Sequence, residues 1–188
     1  MKLTNRYKEH LLKIAHHYQG NAVGFRTDTI RLPDGKTAQR EYLTHPGAVG
    51  VLAFPKQDRV ILIKQYRYPV GDFTYEIPAG KLSKGEDPLA CVKRELEEEA
   101  GVRAGKIRKL LAFWPTAAFS DELIHVYVAT ELVQTQVNPD DDEYLEIVEM
   151  PTARLERMIQ KGKIRDSKTV IAYLAWKTFL SGRRRASR

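Results

Sequence analysis

The chain carries one cysteine among its 188 residues, Cys91, so no internal disulfide can form. A lone thiol of this kind reads as a small packing residue in a reducing compartment. No apolar run approaches the roughly 20 residues that a membrane span requires, and the first residues lack the hydrophobic stretch of a secretory signal. Both absences point to a cytoplasmic protein with no membrane partner. The five histidines, His10, His16, His17, His45 and His125, show no metal-ligand spacing and read as structural. No Pro- or Gly-rich linker divides the chain, and it holds no internal repeat and no low-complexity segment. One domain, or one domain with a modest extension, is what this length allows.

Apolar residues at 43% and charged residues at 29% are enough to bury a sizeable core behind a well-solvated surface. The formal net charge is +7, and part of the excess sits in Arg183, Arg184, Arg185 and Arg188, after Ser181-Gly182. The remaining basic residues are dispersed, without a nucleic-acid motif or a basic stripe interleaved with aromatics. Nucleic acid is therefore not the expected partner, and the same field would steer a small polyanion.

Residues 4–18 mix apolar and polar positions in a way that fits helix or strand equally. Two extended runs between 22 and 45 flank Leu32-Pro33-Asp34-Gly35-Lys36, a turn sequence that predicts a hairpin. Short aliphatic runs at 47–54 and 59–66, on either side of Pro55-Lys56-Gln57-Asp58, predict strands joined by a turn. Further strands are predicted at 73–77, 107–114, 123–130 and 145–148. Pro151 opens an amphipathic helix that stops at Gly162, and a last helix runs from about 167 to 180. Strands interrupted by one central helix, with helices at the end, make an α/β or α+β sandwich.

The central helix lies in the stretch 80–102, GKLSKGEDPLACVKRELEEEAGV. Asp87 is a suitable N-cap, Pro88 suits the first helical position and Gly101 suits a left-handed stop, which predicts a helix over 88–100. Leu89, Val92 and Leu96 give it an apolar face. Glu95, Glu98 and Glu99 lie on the opposite side, with Glu95 and Glu99 four apart. Like charges at that spacing repel, and anions near a helix C-terminus also oppose the macrodipole. An acidic run is most often a solvated face. A divalent cation would turn the repulsion into attraction, and carboxylate oxygens are the ligands that Mg²⁺ accepts.

The spacing decides between these readings. Gly80, five residues, Glu86, seven residues, Arg94-Glu95-Leu96, one residue, Glu98-Glu99, one residue, Gly101-Val102 is the complete Nudix box. From residue usage alone its fixed positions would coincide less than about once in 10⁷ registers. The chain resembles a Nudix hydrolase. Gln65-Tyr66-Arg67-Tyr68, Glu76-Ile77-Pro78-Ala79-Gly80-Lys81 and Phe119-Ser120-Asp121-Glu122 extend the resemblance to the ADP-ribose pyrophosphatase branch.

That resemblance implies a Nudix α/β/α sandwich (fold class α/β) with an N-terminal β-hairpin extension. Residues 1–45 would serve dimerisation, 46–182 would form the hydrolase domain, and 183–188 would be a basic tail. It implies Mg²⁺-dependent hydrolysis of ADP-ribose or another nucleoside diphosphate sugar, with Mn²⁺ as a substitute metal, by a homodimer. By position, Glu95 and Glu99 would ligate metal with the main-chain carbonyl of Ala79. Glu98 would be a further ligand or would hold a metal-bound water, and is the next candidate for the base if the loop carboxylates are not. Arg94 would orient the glutamates, Glu86 would support the turn into the helix, and Arg67 would contact the diphosphate, with Arg40 as a further substrate contact. The general base would come from Asp140-Asp141-Asp142-Glu143. There Glu143 fits a ligand for an additional metal and Asp141 the base, with the assignment between them open. Ala117-Ala118 stands where that branch usually has Pro-Gly, which leaves the sugar undetermined. Two other readings are a Nudix hydrolase of nucleoside triphosphates or dinucleoside polyphosphates, and a non-catalytic nucleotide-sensing Nudix domain.

Overall fold

A computed structural model describes residues 5–138 and 144–181. After a 3₁₀ turn at Asn5–Tyr7 come β1 (His10–Gln19), β2 (Gly24–Arg31) and β3 (Thr37–Thr44), then β4 (Ala48–Lys56), β5 (Arg59–Arg67), β6 (Asp72–Glu76) and β7 (Ala79–Lys81). Helix α1 (Pro88–Ala100) leads into the long strands β8 (Val102–Phe113) and β9 (Ile124–Gln134). Strand β10 (Leu145–Pro151) runs into α2 (Thr152–Gln160), and α3 (Ser167–Trp176) continues as a π-helical turn at Lys177–Ser181.

Strands β1, β2 and β3 form an antiparallel sheet of their own, in that order. The hairpin predicted around Leu32–Lys36 is present, with Gly35 at φ 87° and the Leu32 N–H donating to the Lys36 carbonyl at 2.8 Å. Of the stretch 4–18, which fits helix or strand equally, the part from His10 on is a strand because it pairs along β2.

The second sheet has the order β10-β5-β4-β9-β8, with β6 on β5 and β7 on β4. Among its described strands only β4 and β9 pair in parallel. The alternation along β4 explains the layering. Val49, Val51 and Ala53 pack with Cys91, Val92, Leu96 and Ala100 of α1. Leu52 and Phe54 face the opposite way, onto Leu155 of α2 and Ala172 and Tyr173 of α3. A sheet apolar on both faces needs a helical layer on each, which is the α/β/α sandwich. Among the described residues no helix is long and apolar enough to cross a membrane.

Candidate active site

Helix α1 has the limits its caps predict. The Asp87 carboxylate accepts the N–H groups of Leu89 and Ala90 at 2.9 and 3.1 Å, Pro88 opens the helix, and Gly101 closes it at φ 60°, ψ 34°. Val92 and Leu96 of the predicted apolar face are fully buried, but the buried surface is wider than predicted and leaves Leu89 out. Leu89 is 39% exposed, while Cys91 and two glutamates are covered: Glu95 is 8% exposed and Glu99 4%. The helix is covered on two flanks, by the sheet and by the β7 segment, and the glutamates lie on the second.

Two carboxylates buried one turn apart are costly unless they are compensated. Glu99 Oε2 accepts the Ala79 N–H at 2.8 Å. Arg94 Nη1 lies 2.7 Å from both Glu95 Oε1 and Glu98 Oε2, and its Nε and Nη2 reach Glu86 at 3.2 and 3.3 Å. Glu86 also accepts the Ser83 N–H at 2.9 Å, closing the loop that precedes the helix. Partial burial works against the Arg94 charge, but the hydrogen bonds to Glu86 and Glu98 and the field of Glu95 outweigh it and raise its pKa. The Arg94 guanidinium and the Ser83 N–H in turn hold Glu86 below the usual carboxylate range. Opposite Glu95, the absence of a side chain at Gly80 makes the room: a Cβ there would stand 1.9 Å from Glu95 Oε1.

A second charged group enters from β5, β6 and α3. The β5–β6 register pairs Gln65 with Thr74 and Ile63 with Glu76, so Arg67, Thr74 and Glu76 share one face of the hairpin. Arg67 folds back along that face and grips Glu76 with a two-pronged bond, Nε to Oε1 at 2.8 Å and Nη2 to Oε2 at 2.7 Å. Lys168 of α3 donates to Glu76 Oε2 and, at 2.9 Å, to Asp166 Oδ1. Glu76 is 3% exposed, and such burial alone would raise its pKa. The Arg67 and Lys168 cations and the Thr74 hydroxyl outweigh it and bring it down to about 2.

These groups meet in one cleft of about 550 Å³. Helix α1 and β7 supply Ala79, Gly80, Arg94, Glu95, Glu98 and Glu99, and β5 and α3 supply Arg67, Asp166 and Lys168. Among the described residues, no three acidic, histidine or cysteine side chains are gathered as they would be round a cation. Arg94 supplies the counter-charge instead. The donor set nevertheless fits a hard divalent ion, because carboxylate and carbonyl oxygens are its preferred ligands. Arg94 is also bonded to Glu86, so it can release Glu95 and Glu98 without being left unpaired.

Of the residues predicted from sequence, Ala79, Arg94, Glu95, Glu98, Glu99 and Arg67 therefore share the cleft. Arg40 lies elsewhere: it pairs with Glu9 and lines a second cavity of about 610 Å³ with Trp114, Ala117 and Ala118. Asp141 and Glu143 fall outside the described residues. Lys168 and Asp166, which the cleft also holds, belong to no motif in the sequence. Glu76 stands in the sequence only as part of a run, and its one signal is a glutamate placed directly before the apolar Ile77 at the end of a strand.

Residues 44–173 match the family model described as the NUDIX domain. The chain is 39% identical over 168 residues to the methanol dehydrogenase activator of Bacillus methanolicus, an alignment that covers 88% of this chain and 91% of that protein. It is 37% identical over 171 residues to the ADP-ribose pyrophosphatase of Bacillus subtilis, covering 89% and 92% respectively. Among solved structures it resembles in fold an ADP compounds hydrolase, with a TM-score of 0.82 at 20% identity over 94% of this chain and 96% of the other.

Proposed function

The chain belongs to the NUDIX family, and on that premise we propose that it hydrolyses the pyrophosphate bond of ADP-ribose or another nucleoside diphosphate sugar. The products are a nucleoside monophosphate and a sugar phosphate. One observation carries the reading: a single cleft holds three glutamates of α1 beside the cations Arg67 and Lys168. A metal-bound diphosphate needs both, anionic oxygens for the metal and N–H donors for the phosphate oxygens that the metal leaves free. The likeness to an ADP-ribose pyrophosphatase over nearly the whole chain supports the sugar-nucleotide class.

In this reading Glu95, Glu99 and the Ala79 carbonyl hold the principal Mg²⁺, which Mn²⁺ can replace. Glu98 serves a further ion or its water. When bound, the metal neutralises the diphosphate and acidifies the attacking water. Arg94 orients the glutamates from its seat on Glu86, and Arg67 donates to the diphosphate. A carboxylate of the 140–143 stretch, Asp141 or Glu143, takes the proton of the water. If Glu143 is instead a ligand of an additional metal, Asp141 is the base. Arg40 would meet the far end of the substrate only through the second cavity, which Ala117 and Ala118 also line.

We further assign residues 1–45 to homodimerisation. Strand β1 leaves Leu11, Leu12, Ile14 and Tyr18 exposed, an apolar surface that a second copy would cover. The site of action we assign is the cytoplasm. The test is incubation with ADP-ribose, a GDP-sugar and a UDP-sugar in Mg²⁺, with the products identified. Monophosphate plus sugar phosphate is the expected result. Turnover confined to triphosphates or dinucleoside polyphosphates would move the protein to another substrate class, and binding without turnover would make it a sensor.

A further inference from the structure

We propose that Glu76 is a positioning residue: it draws the Arg67 guanidinium off an exposed hairpin tip and fixes it in the cleft. The inference rests on the reading of Arg67 as a diphosphate contact. Arg67 is the last residue of β5, and its neighbours Tyr66 and Tyr68 are exposed. An arginine at such a tip ordinarily extends into water and samples many rotamers. Here the side chain turns back past Thr74 instead, and its two bonds to Glu76 set the plane of the guanidinium. Those bonds use the Nε–H and one N–H of Nη2. Among the described residues Arg67 makes no other hydrogen bond, so three of its five N–H donors stay available on the edge away from Glu76. The side chain is 44% exposed and lines the cleft that holds Glu95 and Glu99.

Glu76 itself is committed. Oε1 accepts from Arg67 and Thr74, and Oε2 accepts from Arg67 and Lys168, which fills the roughly four acceptor positions of a carboxylate. It has no lone pair left for a metal or for a substrate proton, so its influence on catalysis must pass through the groups it holds. Lys168 in turn bonds Asp166, whose Oδ2 caps α3 by accepting the Thr169 N–H at 2.9 Å. The Thr169 hydroxyl accepts the Ile77 N–H at 2.8 Å. Both the carboxylate and its strand are thereby tied to the start of α3. That gives Arg67 a rigid mount, and pre-ordering a contact group lowers the entropic cost of binding.

A double-mutant cycle on the full chain tests this. Glu76→Gln keeps the shape but puts an amide N–H against an arginine N–H, and Glu76→Asp keeps the charge but shortens the reach. Each should raise KM for ADP-ribose about tenfold, the share of a charge-assisted hydrogen bond that depends on orientation. The Mg²⁺ concentration for half-maximal rate should stay unchanged. In an Arg67→Ala background the same two substitutions should leave KM where Arg67→Ala alone put it, although they still lower Tm. Equal KM effects in both backgrounds would overturn the positioning of Arg67 and leave the effect with Lys168 or with the fold. If Arg67→Ala does not change KM, the diphosphate reading of Arg67 fails and the inference falls with it. A strong Arg67→Ala effect beside silent Glu76 variants sinks the inference alone. Should the wild type turn over no sugar nucleotide, the cycle is read as Kd for inorganic pyrophosphate with Mg²⁺. Should Glu76→Gln not fold, Glu76→Asp and Thr74→Val, which removes one support of Oε1, decide by the same criteria.

Discussion

Gly80→Ala is the sharpest probe of the metal assignment, because it moves a proposed ligand without touching its chemistry. A Cβ at residue 80 would stand 1.9 Å from Glu95 Oε1 and 2.0 Å from its carboxyl carbon. Ordinary contact begins near 3.4 Å, so the carboxylate must retreat by about 1.5 Å. Gly80 does not sit at a positive φ, so alanine fits the backbone there, and the three nearest atoms its Cβ would meet all belong to Glu95. Mg²⁺ tolerates displacements of only tenths of an ångström from its ligand distance of about 2.1 Å. A misplacement of about 1 Å at a reacting centre can cost about 100-fold, or about 2.7 kcal/mol of barrier.

The expected result is a kcat at least about 100-fold lower and a half-saturating Mg²⁺ concentration raised about tenfold or more. Stability should change little. Alanine gains up to about 1 kcal/mol by restricting the unfolded chain, against a loosened Arg94–Glu95 ion pair of similar worth. Steady-state hydrolysis of ADP-ribose across a Mg²⁺ titration, with thermal melting of the metal-free variant, reads both quantities. A folded Gly80→Ala protein with wild-type kcat and Mg²⁺ dependence would show that Glu95 does no metal work on the face it presents to Gly80.

Glu99→Gln should lower kcat by about 1,000-fold, yet the metal-free protein should melt no lower than wild type. The amide oxygen can still accept the Ala79 N–H while the repulsion from Glu95 disappears, and a clear drop in Tm would contradict this. The Glu76 pKa, near 2 against an ordinary 4.5, is depressed in the folded state, so its contribution to stability is full above pH 4.5 and fades as pH falls toward 2. In acid denaturation the stability gap between wild type and Glu76→Gln should therefore close over that window, and a gap independent of pH would refute the ion-pair account. Replacing both Leu12 and Ile14 with Glu on exposed β1 should give a monomer by analytical ultracentrifugation with the hydrolase fold intact, and an unchanged assembly state would place any dimer contact elsewhere.

The parts of the fold legible in the sequence are those fixed by local bonds. Asp87, Pro88 and Gly101 set the limits of α1 within a few residues of themselves, and the Pro-Asp-Gly turn set the β2–β3 hairpin. Where partners are distant, pattern reasoning lost its hold. Residues 10–19 became a strand only by pairing with β2, and the three-residue β7 exists only because β4 offers it an edge. The last helix falls where its limits predict, and its buried side is Thr169, Ala172, Tyr173 and Ala175, while the apolar Leu174 and Phe179 are exposed. Tyr173 and Trp176 fill this interface against Phe54 beside the small Ala172, so the fit to the sheet decided which residues of α3 are buried.

The same division runs through the cleft. Its acidic side is written in 23 consecutive residues, because a loop, a cap and one helix carry Gly80, Glu86, Arg94, Glu95, Glu98 and Glu99, and from outside them it needs little beyond Ala79 and the β4 edge that holds β7. Its basic side joins Glu76 to Lys168 across 92 residues, and no spacing rule reaches that far. This difference carries a physical consequence. The acidic side depends on short-range geometry and should hold its ligand set as long as α1 and β7 stay packed. The basic side depends on α3 being docked against β6 through Thr169 and Lys168. Partial undocking of α3 would loosen the mount of Glu76, and with it Arg67, before it disturbed Glu95 or Glu99. Affinity for the diphosphate should then fail ahead of affinity for the metal as the protein is destabilised, an order that substrate KM and Mg²⁺ half-saturation followed together through a urea series would reveal.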